Sequence, residues 1–276
     1  MHLKQTLATA SLSLLLSTTT GVLAKEIPAN VAAFYSHVKN AGDCSGSDLL
    51  QGGFHDTDEG PTSYSYCSRS MGNKGFYLKG PGKELVNMDI DCDGEQTSGD
   101  GRCGSSKDTQ GQTAFKDEAS KHGIKDLNAY IHPYVVLGNE GDYDPTFDPR
   151  AHGVEPLSLV AVVCNGKLIY GIWGDTNGDD GKPLVGEASL ATATACFGED
   201  MNGDSGHDEK DVLYIAFSGK EAVPGDEAKW DAGSYEEFEE SITALGDKLV
   251  AGLGKGMSSS FHGNATTMRM RRFHHV

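Results

Sequence analysis

The sequence lacks the motifs of several large enzyme classes. No serine stands in a G-x-S-x-G pattern, no H-E-x-x-H pair occurs, and no glycine-rich loop has the spacing that cradles phosphate. No two of the six cysteines form a C-x-x-C pair, which argues against a cysteine-bound metal. These absences disfavour a serine hydrolase, a zinc peptidase and a nucleotide-binding enzyme.

The sequence also lacks an apolar run long enough to cross a membrane. The apolar stretch nearest to that length, residues 7–16, follows the basic residues His2 and Lys4 and precedes the small residues of Val22-Leu23-Ala24. A basic start, a short apolar core and small residues at the end are typical of a secretory signal peptide. We therefore predict that residues 1–24 are a signal peptide, and that the protein is secreted and extracellular.

Positive charge is scarce: 23 Lys and Arg stand against 40 Asp and Glu, and the formal net charge is −17. Such a balance disfavours binding to nucleic acid or to an anionic membrane, and it favours cationic partners or plain solubility. Glycine, by contrast, is abundant, with 36 residues, which suggests many turns, short strands and long loops. An even number of cysteines in a secreted chain indicates disulfides, and proximity in sequence favours Cys44–Cys67, Cys92–Cys103 and Cys164–Cys196.

The clearest structural pattern is a β-hairpin. An apolar run over residues 157–164 is followed by Asn165-Gly166, the pair that tolerates the positive φ of a two-residue turn, and by a second apolar run over residues 168–173. Asp175 follows the second strand directly, and Glu187 comes twelve residues later. The sequence thus predicts one carboxylate at the exit of a rigid hairpin and a second across the next loop.

The remaining patterns predict a mainly β (α+β) single domain over residues 25–254, because no linker rich in proline and serine divides it. Helices are expected at residues 28–39, 113–122 and 234–253, the last with a capping box of Ser234 and Glu237. Further strands are expected at 64–67, 75–78, 87–92, 130–137 and 211–217. Residues 255–276 are basic, carry a glycosylation sequon at Asn264, and are predicted to be a disordered tail.

Two kinds of function fit these residues. Glycosidic bonds are cleaved by a protonated and an ionised carboxyl group, roles that Asp175 and Glu187 can fill, with Trp173 as an apolar platform for a sugar ring. The alternative is a non-catalytic calcium- or polysaccharide-binding module. It rests on Asp89-x-Asp91-x-Asp93-Gly94, which follows a calcium-loop pattern, although no good helix flanks it.

At these residues the sequence resembles the fungal chitosanases of glycoside hydrolase family 75. The resemblance is carried by NMDIDCDG (87–94), by residues 111–140, by GIWGDTNG (171–178) and by the segment that begins GEAS (186–219), and it covers roughly residues 30 to 253. It implies endo-hydrolysis of the β-1,4 bonds of chitosan with inversion, and Asp175 and Glu187 match the family's two essential acids. It also implies a β-barrel-like core, for which the double-psi type is one form, with about three peripheral helices.

The resemblance implies a role for the negative net charge, because chitosan is a polyamine that an acidic cleft would attract. We expect no metal or cofactor, a monomer, and chitosan as the partner. The expected substrate-binding residues are Asp89, Asp91, His132, Trp173, Thr176, Asn177, Asp179 and His207. The assignment of acid and base stays open. The higher intrinsic pKa of Glu, by roughly 0.4 units, favours Glu187 as the acid only slightly.

Overall fold

The computed structural model describes residues 27–254 except residues 58, 98, 108, 179 and 180. Its α-helices are α1 (Ala29–Asn40), α2 (Lys116–Ser120), α3 (Leu190–Phe197) and α4 (Tyr235–Val250). Its strands are β1 (Leu49–Phe54), β2 (Tyr64–Cys67), β3 (Gly75–Lys79), β4 (Val86–Asp91), β5 (Tyr134–Asn139), β6 (Leu159–Cys164), β7 (Lys167–Asn177), β8 (Glu187–Ser189) and β9 (His207–Phe217). Short 3₁₀ turns occupy Gly46–Asp48, Arg102–Ser105, Pro149–His152, Lys220–Ala222 and Gly225–Glu227.

Six of the nine strands close into a ring. The strands β9, β4, β8, β5, β7 and β6 pair in that order, and β6 pairs again with β9. The strands β1, β2 and β3 extend outward from β9 as an antiparallel flap. The mainly β single domain is confirmed, and the ring corresponds to the barrel-like core. The double-psi connectivity stays a prediction.

The predicted hairpin supplies two adjacent strands of this ring, β6 and β7. Asn165 and Gly166 have φ values of 45° and 71°, which is the mirror-image turn that matches the twist of two antiparallel strands. The pairing runs from Cys164↔Lys167 to Leu159↔Ile172, and every residue of β6 is buried. β7 continues beyond the predicted end as far as Asn177, so Asp175 lies within the strand.

Helices form at the three predicted places, although α2 covers only Lys116–Ser120 of the predicted residues 113–122, and α3 was not predicted. In α4 the side chain of Ser234 accepts a hydrogen bond from the backbone of Glu237, and Phe238 and Ile242 are buried. The predicted count of about three helices misses α3, because seven of its eight residues are buried. A helix that is apolar on all sides has no amphipathic period to detect.

Two short strands, β1 and β8, also escape the sequence prediction, and β5 begins at Tyr134, after the proline that divides the predicted strand. Disulfides join Cys44 to Cys67, Cys92 to Cys103 and Cys164 to Cys196. The predicted signal peptide, the basic tail and Asn264 lie outside the described residues. Within the described part of the chain, no helix has the length and apolar character needed to cross a membrane.

Candidate active site

One hollow lies where β4 and β7 end and β8 begins. Its lining brings together four carboxyl groups, those of Asp91, Asp93, Asp175 and Glu187. The ring explains this meeting. β8 runs parallel to β4, with Asp89 opposite Glu187, while β5 joins β8 to β7, with Val136 opposite Asp175. We call this space the central hollow.

A shift in strand register aims Asp175 into the central hollow. Val135 pairs with Trp173 and Val136 pairs with Asp175, so Gly174 is an extra residue in β7. Such an insertion re-aims the side chain that follows it. Gly174 suits the position, because a Cβ there would lie 2.5 Å from the Cβ of Tyr134. The buried indole of Trp173 donates to the carbonyl oxygen of Asp175 at 2.8 Å and fixes the backbone.

The carboxyl group of Asp175 is held on one side only. Its Oδ1 accepts hydrogen bonds from the backbone nitrogens of Ala114 (2.9 Å) and Thr176 (2.7 Å). Its Oδ2 is buried and has no hydrogen-bond partner among the described residues. Burial and the nearby Asp91 carboxylate hold the pKa of Asp175 well above its usual range, although the two backbone donors act in the opposite direction.

Glu187 begins β8, and the residue before it explains why the strand lies where it does. Gly186 has a φ of 100°, and a Cβ there would lie 2.3 Å from the Oδ1 of Asn87. The hydroxyl of Tyr214 donates to the carbonyl oxygens of Asn87 (3.0 Å) and Gly186 (3.4 Å). This arrangement ties the start of β8 to β4 and β9 and leaves Glu187 half-buried at the wall of the central hollow.

Asp91 and Asp93 are fixed by hydrogen bonds before any ligand arrives. The Oδ1 of Asp91 accepts from the backbone nitrogen of Asp93 (2.7 Å) and from the hydroxyl of Tyr134 (3.2 Å). The Oδ1 of Asp93 accepts from the backbone nitrogen of Gln110 at 2.6 Å. Asp91, Asp93 and Asp175 each place one carboxylate oxygen within 4.8 Å of the others. The cluster has room for one small cation.

Two further hollows share lining residues with the central one. One shares Ile90 with it and is lined by Asp89, Asp204 and Asp208. The other shares Asp93 and Asp175 with it and extends to Glu140. None of the described residues that line the three hollows is Lys, Arg or His. We call the three hollows together the acidic groove; Asp175 and Glu187 both line its central hollow.

Several predicted substrate-binding residues line this groove. Asp91, Thr176 and Asn177 line the central hollow, and Asp89 lines the hollow beside it. Burial, together with the carboxylates of Asp208 and Asp56, raises the pKa of Asp89 to about 6, against the effect of its hydrogen bond with Asn87 and of the Lys210 charge. The predicted role of Asp179 concerns a residue outside the described part of the chain.

The other three predicted residues lie elsewhere. Trp173 is buried, and its indole nitrogen donates hydrogen bonds to the carbonyl oxygens of Leu137 and Asp175. It therefore holds the backbone of the site in place. Both ring nitrogens of His132 are used inside the protein, by the backbone of Asn128 and of Trp230. The ring of His207 stacks on Phe197 with 3.9 Å between centroids and contacts Glu209 and Asp211. None of the three lines the groove.

The sequence prediction omitted Asp93, Gln110 and Glu140 from the candidate site. Asp93 stands in the quoted segment NMDIDCDG, and the alternation of acids there was the available signal. Gln110 belongs to a loop and Glu140 directly follows β5, and no local pattern shows that these two positions lie beside the end of β7. The calcium-loop pattern itself is not a loop here, because Asp89 and Asp91 lie on β4.

Comparison with known proteins adds a second line of argument. The sequence model of a family described as fungal chitosanase of glycosyl hydrolase group 75 matches residues 88–252, more than half of the chain. The chain is 53% identical over 241 residues to an endo-chitosanase of Aspergillus oryzae, an alignment that covers 85% of this chain and 94% of the relative. It is 49% identical over 236 residues to an endo-chitosanase of Aspergillus fumigatus, with the same coverage.

More distant relatives share only part of this domain. The chain is 34% identical over 175 residues to endo-chitosanase C of Aspergillus oryzae, covering 63% of this chain and 40% of that protein. These matches define the class: the chain is a member of the glycoside hydrolases. Within that class it belongs to the fungal chitosanases of glycosyl hydrolase group 75.

Proposed function

We propose that the chain is a secreted endo-chitosanase that hydrolyses the β-1,4 bonds of chitosan with inversion at the anomeric carbon. The observation that carries the proposal is that Asp175 and Glu187 line one hollow of the acidic groove. Relatives named endo-chitosanase, matched over 94% of their length, support the same activity. A groove that continues beyond the hollow of the acid pair suits attack within a polymer.

The charge of the groove supports chitosan as the substrate. Chitosan carries ammonium groups along its length, and the groove offers carboxylates without a competing basic side chain on its described lining. Opposite charges raise the local concentration of the polymer and guide its binding. Asp89 and Asp91 are therefore proposed to bind glucosamine units, with Thr176 and Asn177 donating or accepting hydrogen bonds beside the cleaved bond. No metal or cofactor is required by this chemistry.

In the proposed reaction Glu187 is the acid and Asp175 is the base. Glu187 gives its proton to the glycosidic oxygen as the bond to the anomeric carbon breaks. A water on the opposite face of the sugar attacks that carbon and gives its proton to the Oδ2 of Asp175. The raised pKa of Asp175 makes its ionised form a stronger base. Inversion requires roughly 6.5–9.5 Å between the two carboxyl groups, which leaves room for the water.

The experiment is hydrolysis of highly deacetylated chitosan with a chelator present. We expect release of reducing ends together with a rapid fall in viscosity, because an endo-enzyme cuts chains internally. Proton NMR during the first minutes should show the α-anomer of the new reducing end before mutarotation. A β-anomer appearing first contradicts inversion. A folded protein that releases no reducing ends contradicts the enzymatic function and favours the non-catalytic binding module.

A further inference from the structure

The cluster of Asp91, Asp93 and Asp175 has a geometry that the acid/base chemistry alone does not require. Cleavage needs a base and an acid, whereas three carboxylate oxygens here lie within 4.8 Å of one another. Asp175 is only 4% exposed. Its Oδ2 has no hydrogen-bond partner among the described residues. A buried acceptor facing this hollow indicates that a donor arrives with the ligand.

The three oxygens lie close enough together for one primary ammonium group to reach all of them. An ammonium nitrogen donates three hydrogen bonds at tetrahedral angles, each with a nitrogen-to-oxygen distance of about 2.8 Å, which separates the three oxygens by about 4.6 Å. The separations in the cluster fall within 4.8 Å. Because Asp91 and Asp93 are already held by Tyr134 and by backbone nitrogens, the cluster is formed before the ligand binds.

We propose that Asp91, Asp93 and Asp175 form an ammonium cradle that requires a free amine on one of the two sugars flanking the cleaved bond. This inference rests on the proposed chitosanase function and deepens it. Asp93 becomes a specificity-determining residue. An acetylated sugar brings no positive charge and presents a bulkier amide, so it would not offset the negative charge of the three aspartates.

The cradle also links substrate choice to the reaction itself. In the free enzyme, the groups that face Asp175 in the central hollow are the carboxyls of Asp91, Asp93 and Glu187 and the buried Tyr134. An ammonium between the three aspartates offsets their mutual repulsion and favours the ionised form of Asp175 that accepts the proton of the water. A glucosamine at this position therefore affects turnover as well as binding.

The experiment digests a chitosan of about half acetylation with wild type and with Asp93→Asn, and sequences both new ends by mass spectrometry. In wild type we expect glucosamine almost exclusively at one of the two ends. In Asp93→Asn we expect N-acetylglucosamine to appear at that end. The kcat/KM on fully deacetylated chitosan should fall about 10- to 100-fold, the loss typical of one charged hydrogen bond. Asp91→Asn should behave alike.

Glu221→Gln is the control, because it removes an exposed carboxylate that does not line the groove. The sugars at the new chain ends that this variant produces, and its kcat/KM on deacetylated chitosan, should match those of wild type. If both ends from wild type follow the composition of the polymer while chitosan is still degraded, the cradle is wrong and the chitosanase function stands. If wild type degrades no chitosan, both the ammonium cradle and the chitosanase function are wrong.

Calcium provides the other arm of the test. We expect no calorimetric binding of Ca²⁺ to wild type and no effect of chelator on the ends produced. Binding of Ca²⁺ that is lost in Asp93→Asn would show that the cluster holds a metal, and it would overturn the ammonium cradle.

Discussion

Burial controls the titration of single side chains in this molecule. Asp175 and His132 are both almost fully buried, and each therefore avoids its charged form. The pKa of Asp175 is raised, whereas burial lowers the pKa of His132 to about 4, against the opposing influence of its hydrogen bond to Trp230 and of the Asp126 charge. Asp175 lines the groove, whereas His132 packs against Phe238 of α4. Burial therefore shifts the pKa of a candidate catalytic group in one place and of a packing residue in the other.

The stability of the fold should depend on pH through His132. The unfolded chain takes up a proton near pH 6.5 and the folded chain only near pH 4, so stability is lost as the pH falls between these values. The loss amounts to at most about 3 kcal/mol. His132→Gln should be less stable than wild type at pH 7 but should lose less on acidification. Urea unfolding between pH 4 and 7 measures both, and parallel pH profiles would contradict the assignment.

At the residue scale, the sequence predicts those parts of the site that lie on strands. Asp91, Asp175 and Glu187 are close in space because paired strands carry them. The roles proposed for His132 and His207 rest on residue type alone, and the structure binds both rings inside the protein. Glu140 enters the groove because it directly follows β5 and hydrogen-bonds to Asn177 of β7, a strand pairing that no local pattern in the sequence encodes.

At the scale of elements, the site depends on the extra residue in β7. Gly174 shifts the register between β5 and β7 by one residue and lets Tyr134 approach closely. Without the shift, the alternation of the strand would turn Asp175 to the other face. The site is thus built on a local irregularity of a strand, a feature that sheets often show next to active sites.

Gly174→Ala tests this dependence. The added methyl group would lie 2.5 Å from Tyr134 and 2.6 Å from the Cδ1 of Leu127, so the strand must move. We expect a loss of about 1–3 kcal/mol in the free energy of unfolding, together with a clear fall in kcat. Gly111→Ala is the matched control, since nothing lies within 4 Å of its added Cβ. Equal stability and activity of the two variants would show that β7 tolerates the methyl group.

The same elements show what the sequence can and cannot predict. The hairpin of β6 and β7 was predictable because Asn165-Gly166 specifies its turn and two apolar runs specify its strands. α4 was predictable from its cap and its amphipathic face. α3 and the three-residue β8 were not, because one is apolar all round and the other is too short to show a period.

At the scale of the whole molecule, negative charge is the dominant property. The net charge of −17 agrees with a groove whose described lining carries acidic side chains and no basic ones. The closed ring of six strands gives this groove a rigid base, since only the flap of β1, β2 and β3 stands outside the ring. Binding of a polyamine to such a surface should depend on charge over distances longer than single contacts.

The KM for chitosan should therefore rise with salt. Between 0.05 and 0.5 M sodium chloride we expect an increase of roughly 10-fold, because screening shortens the range of the attraction, while kcat on saturating polymer changes little. Initial rates over a range of chitosan concentrations measure both constants. Thermal unfolding at each salt concentration is the control for the fold. A KM that does not change with salt would contradict electrostatic binding in the groove.

The central claim is that Asp175 and Glu187 together cleave the glycosidic bond. The most direct measurement is the release of reducing ends from deacetylated chitosan by wild type, Asp175→Asn and Glu187→Gln, each checked by circular dichroism and thermal unfolding. The account predicts that both isosteric variants are folded and lose at least about 1000-fold in kcat, because each lacks a group that transfers a proton in the transition state. A folded variant that keeps most of the wild-type rate would show that its carboxyl group belongs to the scaffold.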